Sequence, residues 1–185
     1  MIAALADVVL AAPPRLGLVR LIGIDGPSGA GKTDLATALI AELRSRAVTT
    51  ALVSTDDFAT WADPVAWWPR LVDGVLAPAA AGRPGRYRRM DWSDGPPRLG
   101  DSVTVDVADV MIIEGVSAGR RAVTRSLSVL VWVELPDSSA RLERAVARDG
   151  EANRAELARW QSFESGWFAV DGARDRASVL VETEP

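Results

Sequence analysis

Apolar residues follow two patterns along the chain, short continuous runs and stripes at helical spacing. Runs rich in branched aliphatic residues predict six strands, which are "LGLVRLIGID", "TTALVST", "DSVTVDV", "DVMIIEG", "LSVLVWVEL" and "ASVLVET". Between the first two, Leu35, Leu39 and Leu43 share one face of a predicted helix from about Lys32 to Ala47. Strands that alternate with helices are typical of an α/β fold, in which helices cover both faces of a parallel sheet.

The N-terminal stretch "MIAALADVVLAA" is predicted to form a short helix. Ile2, Leu5 and Val9 recur at helical spacing, and Pro13 ends the pattern. The stretch lacks a basic segment and Asp7 interrupts it, so we interpret it as a helix packed on the core rather than a secretory signal. Because no apolar run approaches the length of a membrane span, we expect a cytoplasmic protein with no membrane partner.

The second half of the chain contains two further predicted helices. Asp137 is placed to cap the first, "DSSARLERAVARDG", and Gly150 lies just beyond its end. The second spans roughly Arg154 to Glu164. Residues 61–100 contain most of the prolines and several tryptophans, and we predict a long irregular excursion there, of a kind that is usually either functional or disordered. With no internal repeat, residues 1–185 are predicted to form one domain.

Composition narrows the chemistry that this chain can perform. The net charge of −4 over 185 residues argues against a nucleic-acid partner. There is no cysteine and no histidine, which excludes disulfides, zinc–thiolate sites and Ser-His-Asp catalysis. Proton transfer is therefore assigned to carboxylates, and any metal is expected to be a hard cation on oxygen ligands.

A glycine-rich segment between the first strand and the next helix fits the phosphate-binding pattern G-x-x-x-x-G-K-[ST]. Its residues are Gly26, Pro27, Ser28, Gly29, Ala30, Gly31, Lys32 and Thr33. Small residues let backbone N–H groups surround phosphates, and the pattern assigns Lys32 to the outer phosphates and Thr33 to Mg²⁺. Lys32 is the only lysine in the chain, which favours a position where arginine cannot substitute. The sequence therefore predicts binding of ATP with Mg²⁺.

Acidic residues follow two of the predicted strands. Asp56 and Asp57 come after "TTALVST", and Glu114 ends "VMII". In open α/β sheets ligands bind beyond the carboxyl ends of the strands, so these carboxylates are candidates for proton transfer and Mg²⁺ binding. The alternatives are a helix-capping pair for Asp56 and Asp57 and a solvated strand end for Glu114.

Arginines and aromatic residues supply further candidates. Arg141, Arg144 and Arg148 share one face of a predicted helix, and either stabilise the transferring phosphate or pair with nearby glutamates at the surface. In the excursion, "GRPGRYRRMDW" contains Arg86, Tyr87, Arg88 and Arg89, which either hold a polar substrate or cover a loop. Its tryptophans, Trp61, Trp67, Trp68 and Trp92, either stack on a planar ring or fill a core, and we favour core for most of them.

The ordered set of motifs resembles the uridine kinase-like branch of P-loop small-molecule kinases. The resemblance is carried by "GIDGPSGAGKT", "VSTDDF", "GRPGRYRRMDW", "VMIIEGVSAGRR", "VWVELPDSSARLERAVARD" and "RASVLVET". It implies a P-loop three-layer α/β/α fold with a mainly parallel five-stranded sheet. It also implies that Asp56 is the catalytic base and a Mg²⁺ neighbour, that Glu114 lies near Mg²⁺, and that a lid at about 144–160 carries Arg144, Arg148 and Arg154.

The same resemblance places the acceptor pocket in the excursion, with Tyr87 as its aromatic residue. Asp57, Arg88 and Trp92 are further candidates for acceptor binding. Ala59 and Trp92 stand where the resemblance leads us to expect tyrosine and histidine, which leaves the acceptor open.

Three functions follow from the sequence. The first is transfer of the γ-phosphoryl group of ATP to a hydroxyl of a nucleoside or similar small metabolite. The second is a regulatory module that binds or slowly hydrolyses ATP. The third is the same kinase chemistry on pantothenate or a nicotinamide nucleoside. A homo-oligomer is compatible with each.

Overall fold

The computed structural model describes residues 1–93 and 96–184, and within them a parallel sheet forms the centre of the molecule. The seven strands of this part of the chain are β1 (Arg20–Asp25), β2 (Thr50–Ser54), β3 (Gly85–Asp91), β4 (Arg98–Val105), β5 (Val110–Glu114), β6 (Leu127–Glu134) and β7 (Val179–Glu182). Five of them form one sheet in the order β2-β5-β1-β6-β7, and every neighbouring pair is parallel. The predicted α/β fold with a five-stranded parallel sheet is confirmed.

Seven α-helices surround this sheet in the described part of the chain. They are α1 (Ile2–Ala11), α2 (Lys32–Ser45), α3 (Trp68–Leu71), α4 (Ala77–Ala80), α5 (Ser138–Asp149), α6 (Arg154–Asp171) and α7 (Ala173–Arg176). A π-helical turn, Val72–Leu76, joins α3 to α4. Among the described residues, no helix combines the length and apolar character needed to cross a membrane.

Side chains that alternate along the strands fill two cores. Ile112 of β5 packs with α1 and α2, whereas its neighbours Met111 and Ile113 pack with Phe58 and Trp67 on the other face. Both faces of the sheet are therefore covered, which is why its strands are almost continuously apolar. The excursion supplies much of the second layer.

The termini of α5 agree with those predicted from the sequence, whereas the C-terminus of α6 does not. Asp137 accepts hydrogen bonds from the N–H groups of Ser139 (2.8 Å) and Ala140 (3.1 Å), and so caps α5 as predicted. The prediction for α6 was wrong at its C-terminus, because the helix continues past Glu164 to Asp171 and ends at Gly172 with φ 68°. Packing extends it, since the Phe168 ring contacts that of Trp132 edge-on at 4.7 Å.

The prediction of an irregular excursion was also wrong. Residues 68–80 are helical, and β3 pairs with β4 in an antiparallel hairpin that runs past residue 100 to Val105. The predicted strand "DSVTVDV" is part of β4, and it lies in this hairpin rather than in the parallel sheet. Residues 94 and 95 of the excursion lie outside the described residues, as does residue 185.

Candidate active site

The phosphate-binding segment, Gly26 to Thr33, forms a tight turn between β1 and α2. Gly26 has φ 141°, and a Cβ there would lie 2.0 Å from the Val133 carbonyl oxygen. Gly29 has φ 77°, and its Cβ would lie 2.3 Å from the Arg141 carbonyl oxygen. Only glycine fits these two positions. Gly31 precedes α2 and provides no side-chain cap, so the first N–H groups of that helix face the loop without a competing side-chain acceptor from its N-cap.

Lys32 begins α2 and is buried at 8% exposure. Its ammonium donates a hydrogen bond to the Pro27 carbonyl oxygen at 2.9 Å, so the side chain folds back over the loop. A compact cation suits a contact with phosphates, which stays a prediction for Lys32.

Glu114 ends β5 and meets the loop at the carboxyl edge of the sheet. It is 5% exposed, so the alternative of a solvated strand end is wrong. Its carboxylate accepts hydrogen bonds from Ser54 Oγ (2.8 Å) and Thr33 Oγ1 (3.3 Å). Burial raises the pKa of Glu114, while the charge of Lys32 opposes that shift. Three oxygen-bearing side chains thus converge here, a set that suits a hard cation.

Asp56 and Asp57 lie in a 3₁₀ turn, Thr55–Asp57, directly after β2. Ser54, rather than either aspartate, caps this turn by accepting from the Asp56 N–H. The Asp57 carboxylate accepts a short hydrogen bond from the Tyr87 hydroxyl, and burial raises the pKa of Asp57. The two aspartates therefore differ, because Asp56 is exposed whereas Asp57 is partly buried and paired.

A cavity of about 600 Å³ opens beside the loop. Ser28, Thr33, Glu114 and Asp56 form its polar wall. Its aromatic and apolar wall comes from the excursion (Trp61 and Trp92), from α6 (Leu157 and Trp160) and from β2 (Leu52). Trp61 contacts Trp92 edge-on at 5.0 Å and Trp160 at 5.8 Å. The structure thus brings the phosphate loop, Asp56, Glu114 and Trp92 around one space.

The three arginines predicted for the lid, Arg144, Arg148 and Arg154, differ in what they contact. Arg148 lines the cavity and pairs with Asp149 at 2.7 Å. Arg144 donates to the Gly29 carbonyl oxygen at 3.5 Å, so it contacts the loop from outside. Arg154 pairs with Glu143 (2.7 Å) and Glu151 (2.6 Å), which is the surface pairing that the sequence left as an alternative.

Tyr87 and Arg88 lie in β3, behind the cavity. The Tyr87 ring stacks on Phe58 at 4.6 Å, and Arg88 spans the hairpin to the Leu99 carbonyl oxygen at 2.8 Å. Neither is among the residues that line the cavity. Trp92 does line it, and its indole N–H donates to the Asp56 carbonyl oxygen at 3.1 Å.

Two buried carboxylates at the loop were missed by the sequence analysis. Asp25, fully buried at the end of β1, accepts from the N–H groups of Gly26 (2.8 Å), Ser117 (3.0 Å) and Gly119 (2.8 Å). Burial raises the pKa of Asp25 to about 6. A single charged residue at the end of the apolar run "LIGID" was the available signal.

Glu164 of α6 is the second carboxylate. It is 1% exposed and accepts from the Ser28 N–H (3.0 Å) and the Ser28 hydroxyl (2.8 Å). Its signal was a glutamate at the apolar-face spacing set by Leu157 and Trp160.

Comparison with known proteins gives a likeness of fold. No protein-family model matches the sequence, and a search of curated proteins finds no match. Among solved structures, a possible uridine kinase from Bacillus stearothermophilus superposes with a TM-score of 0.72 at 20% identity, covering 97% of this chain and 96% of that one. A candidate fructose transport system kinase from Silicibacter sp. TM1040 gives 0.63 at 22% identity, with 100% and 99% covered. D-glycerate 3-kinase from Cryptococcus neoformans var. grubii gives 0.50 at 17% identity, with 98% and 72% covered.

The loop and the parallel sheet define a P-loop α/β fold. Within that class, the fold of the chain is similar to that of these three solved structures, all described as kinases.

Proposed function

We propose that this protein is an ATP- and Mg²⁺-dependent kinase that transfers the γ-phosphoryl group of ATP to a hydroxyl of a nucleoside or similar small metabolite. The observation that carries the proposal is the shared cavity, because Asp56 and the phosphate-loop residues Ser28 and Thr33 line the same space. A phosphate donor in the loop and an acceptor in the cavity would therefore meet beside a carboxylate.

The loop and Lys32 hold the phosphates in this proposal. Thr33, Asp56 and Glu114 are the proposed Mg²⁺ neighbours, and Mg²⁺ supplies neutralisation of phosphate charge. No three acidic side chains within residues 1–93 and 96–184 come close enough to form a metal site by themselves. The proposed site is therefore completed by phosphate oxygens.

Asp56 is the proposed base. It orients the acceptor hydroxyl and takes its proton as the hydroxyl oxygen bonds to the γ-phosphorus. The bond between that phosphorus and the β–γ bridging oxygen breaks, and ADP leaves. Arg148 at the cavity wall and Arg144 at the loop are proposed to stabilise the charge on the transferring group.

The cavity wall favours a planar acceptor without a carboxylate. Trp61, Trp92 and Trp160 offer aromatic faces and edges to a ring. The lining residues, all in the described part of the chain, include one cation, Arg148, and Asp149 pairs with it. A nucleoside fits this wall better than pantothenate does, because Arg148 is assigned to the transferring phosphoryl group in this proposal and the lining residues offer the carboxylate of pantothenate no second cation.

The other predicted acceptor residues act less directly in this proposal. Tyr87 holds Asp57 beside Asp56, and Arg88 braces the hairpin that carries Trp92. Arg154 contacts substrate only after leaving Glu143 and Glu151.

The test is release of ADP from ATP over a panel of nucleosides and vitamins, with Asp56→Asn as the variant. We expect kcat to fall about 10²- to 10⁴-fold, the usual contribution of a general base. Asp73→Asn, at an exposed position on the π-helical turn, is the matched control. Undiminished transfer by Asp56→Asn would exclude Asp56 as the base. Tight ATP binding with no acceptor phosphorylated would instead support the regulatory module.

A further inference from the structure

The backbone of the phosphate loop is held from outside by several parts of the chain. Arg144 of α5 donates to the Gly29 carbonyl oxygen, and Thr183, after β7, donates to the Ala30 carbonyl oxygen at 3.0 Å. Glu164 of α6 accepts from Ser28 through both its N–H and its hydroxyl. These contacts occupy groups at the outside of the loop, and so fix its shape before any phosphate binds.

The Glu164 contact differs from the other two because its helix, α6, also lines the cavity. Leu157, Trp160 and Glu164 follow one another at i, i+3 and i+7, so they share one face of α6. Leu157 and Trp160 line the cavity, and one turn further along the helix Glu164 accepts hydrogen bonds from the loop residue Ser28. A single rigid helix therefore contacts both the proposed phosphate site and the proposed acceptor site.

The charge of Glu164 is compensated locally. Burial raises its pKa, whereas the Lys32 ammonium, the two Ser28 contacts and Arg141 favour the ionised form. The Ser28 N–H is shared between the two carboxylate oxygens, at 3.0 and 3.1 Å, and the Ser28 hydroxyl donates to one of them at 2.8 Å. Two donors of one residue therefore bind one ionised acceptor, which makes a strong contact.

We propose that Glu164 is a positioning residue that ties α6 to the phosphate loop, so that nucleotide binding in the loop is transmitted to the cavity wall at Leu157 and Trp160. The inference rests on the proposed function only in that a nucleotide binds the loop. Coupling of this kind is reciprocal, so an acceptor that orders the Trp160 wall also tightens nucleotide binding.

The experiment measures ADP binding by calorimetry and the accompanying change in tryptophan fluorescence. We define the Trp160 contribution as the part of the fluorescence change that the Trp160→Phe substitution removes. The Trp160 ring contacts Trp61, so its emission depends on the position of α6. Glu164→Leu keeps the size of the side chain but removes its acceptors. We expect at least a five-fold loss of the Trp160 contribution and about a ten-fold increase in the Kd for ADP.

Two further variants separate positioning from mere folding. Glu164→Gln keeps an amide oxygen that accepts from the Ser28 N–H, and we expect it to retain more than half of the Trp160 contribution. Ser28→Ala removes only the hydroxyl contact, and we expect it to lose part of the Trp160 contribution. This variant also keeps the inference testable if Glu164→Leu does not fold. Glu156→Gln, on the same helix and paired with Arg159 instead of the loop, is the control that keeps the full response.

Two results would overturn the inference. One is a full Trp160 response in Glu164→Leu or Ser28→Ala. The other is tighter ADP binding by Glu164→Leu, because the carboxylate would then compete with phosphate rather than hold the loop. Neither readout needs an acceptor, so a failure of phosphoryl transfer contradicts the proposed function and leaves this inference standing.

Discussion

Lys32 shows how one side chain can be fixed by charge and space together. Its ammonium lies 2.9 Å from the Pro27 carbonyl oxygen inside a loop where added atoms at Gly26 or Gly29 would strike backbone. A planar guanidinium is wider than an ammonium and does not replace it at a tightly enclosed position such as this one. The single lysine in a chain with twenty arginines is explained by that difference.

We therefore expect Lys32→Arg to be nearly as damaging as Lys32→Ala. Both substitutions should lower kcat/KM for ATP at least 100-fold, about 2.7 kcal/mol of transition-state stabilisation. Steady-state kinetics with the acceptor identified from the panel measures this. Arg44→Lys, an exposed exchange on the same helix, should leave kcat/KM within two-fold of the wild type. A Lys32→Arg enzyme with more than a tenth of wild-type kcat/KM would contradict the argument.

Residues that act through local spacing were predicted from the sequence, and residues that act through distant contacts were not. The loop residues and Glu114 follow from motif and strand-end position, which are local properties. Glu164 was missed as a site residue because its partner Ser28 lies 136 residues away, and Asp25 because two of its partners follow β5. Only the folded chain brings these groups together.

At the scale of elements, Arg120 joins the excursion to α6. Its guanidinium lies between the Trp68 ring of α3 (4.7 Å) and the Trp167 ring of α6 (4.8 Å), and it donates to the Val65 carbonyl oxygen at 2.9 Å. Burial lowers the pKa of Arg120, whereas the charges of Asp171 and Asp25 favour its cationic form, and the two rings add cation–π contacts. The two elements that wall the cavity are thus tied together behind it.

We expect Arg120→Met to lower the free energy of unfolding by about 2–4 kcal/mol, because two cation–π contacts and a partly buried hydrogen bond are lost. Urea denaturation followed by circular dichroism measures the change. Arg125→Met, an exposed position five residues further along the chain, should alter stability by less than about 0.5 kcal/mol. Equal effects of the two substitutions would show that the rings contribute nothing specific.

The hairpin in the excursion was missed because its alternation is interrupted. Gly85, Tyr87 and Met90 are buried while Arg86 and Arg88 are exposed, but the register shifts between Arg88 and Met90. The shift breaks the period of two by which a strand is predicted. The buried runs of β5 and β6 in the parallel sheet are nearly continuous, and these strands were predicted correctly.

For the whole molecule, the order of the strands determines where charge accumulates. Placing β1 between β5 and β6 brings Asp25 and Glu114 to one edge of the sheet, and α6 adds Glu164 there. Sequence patterns predicted the strands but not their neighbours, so this concentration of buried carboxylates could not be predicted. Burial raises the pKa of each of the three, and that of Asp57 close by.

Because of these raised pKa values, we expect the free energy of unfolding to depend on pH. A carboxyl whose pKa is higher in the folded than in the unfolded chain binds more protons when folded, so its contribution is present at low pH and lost as pH rises through the folded pKa. For Asp25 the window runs from 3.8 to about 6, or roughly 3 kcal/mol at 1.36 kcal/mol per unit. Exposed carboxyls with lowered pKa values, such as Asp91, change the free energy of unfolding only at pH values below that window.

We therefore expect the free energy of unfolding to fall between about pH 4 and pH 6.5, the range that spans the Asp25 window, as measured by urea denaturation at intervals of half a unit. Asp25→Asn should flatten this slope, since it removes the largest single contribution, even though the amide satisfies fewer of the three N–H groups and lowers stability at every pH. Asp73→Asn should keep the wild-type slope. A stability that rises from pH 4 to pH 6.5 would mean that the carboxylates at the phosphate loop are already well solvated or paired, and that the carboxyl end of the sheet stores no electrostatic cost for bound cations to relieve.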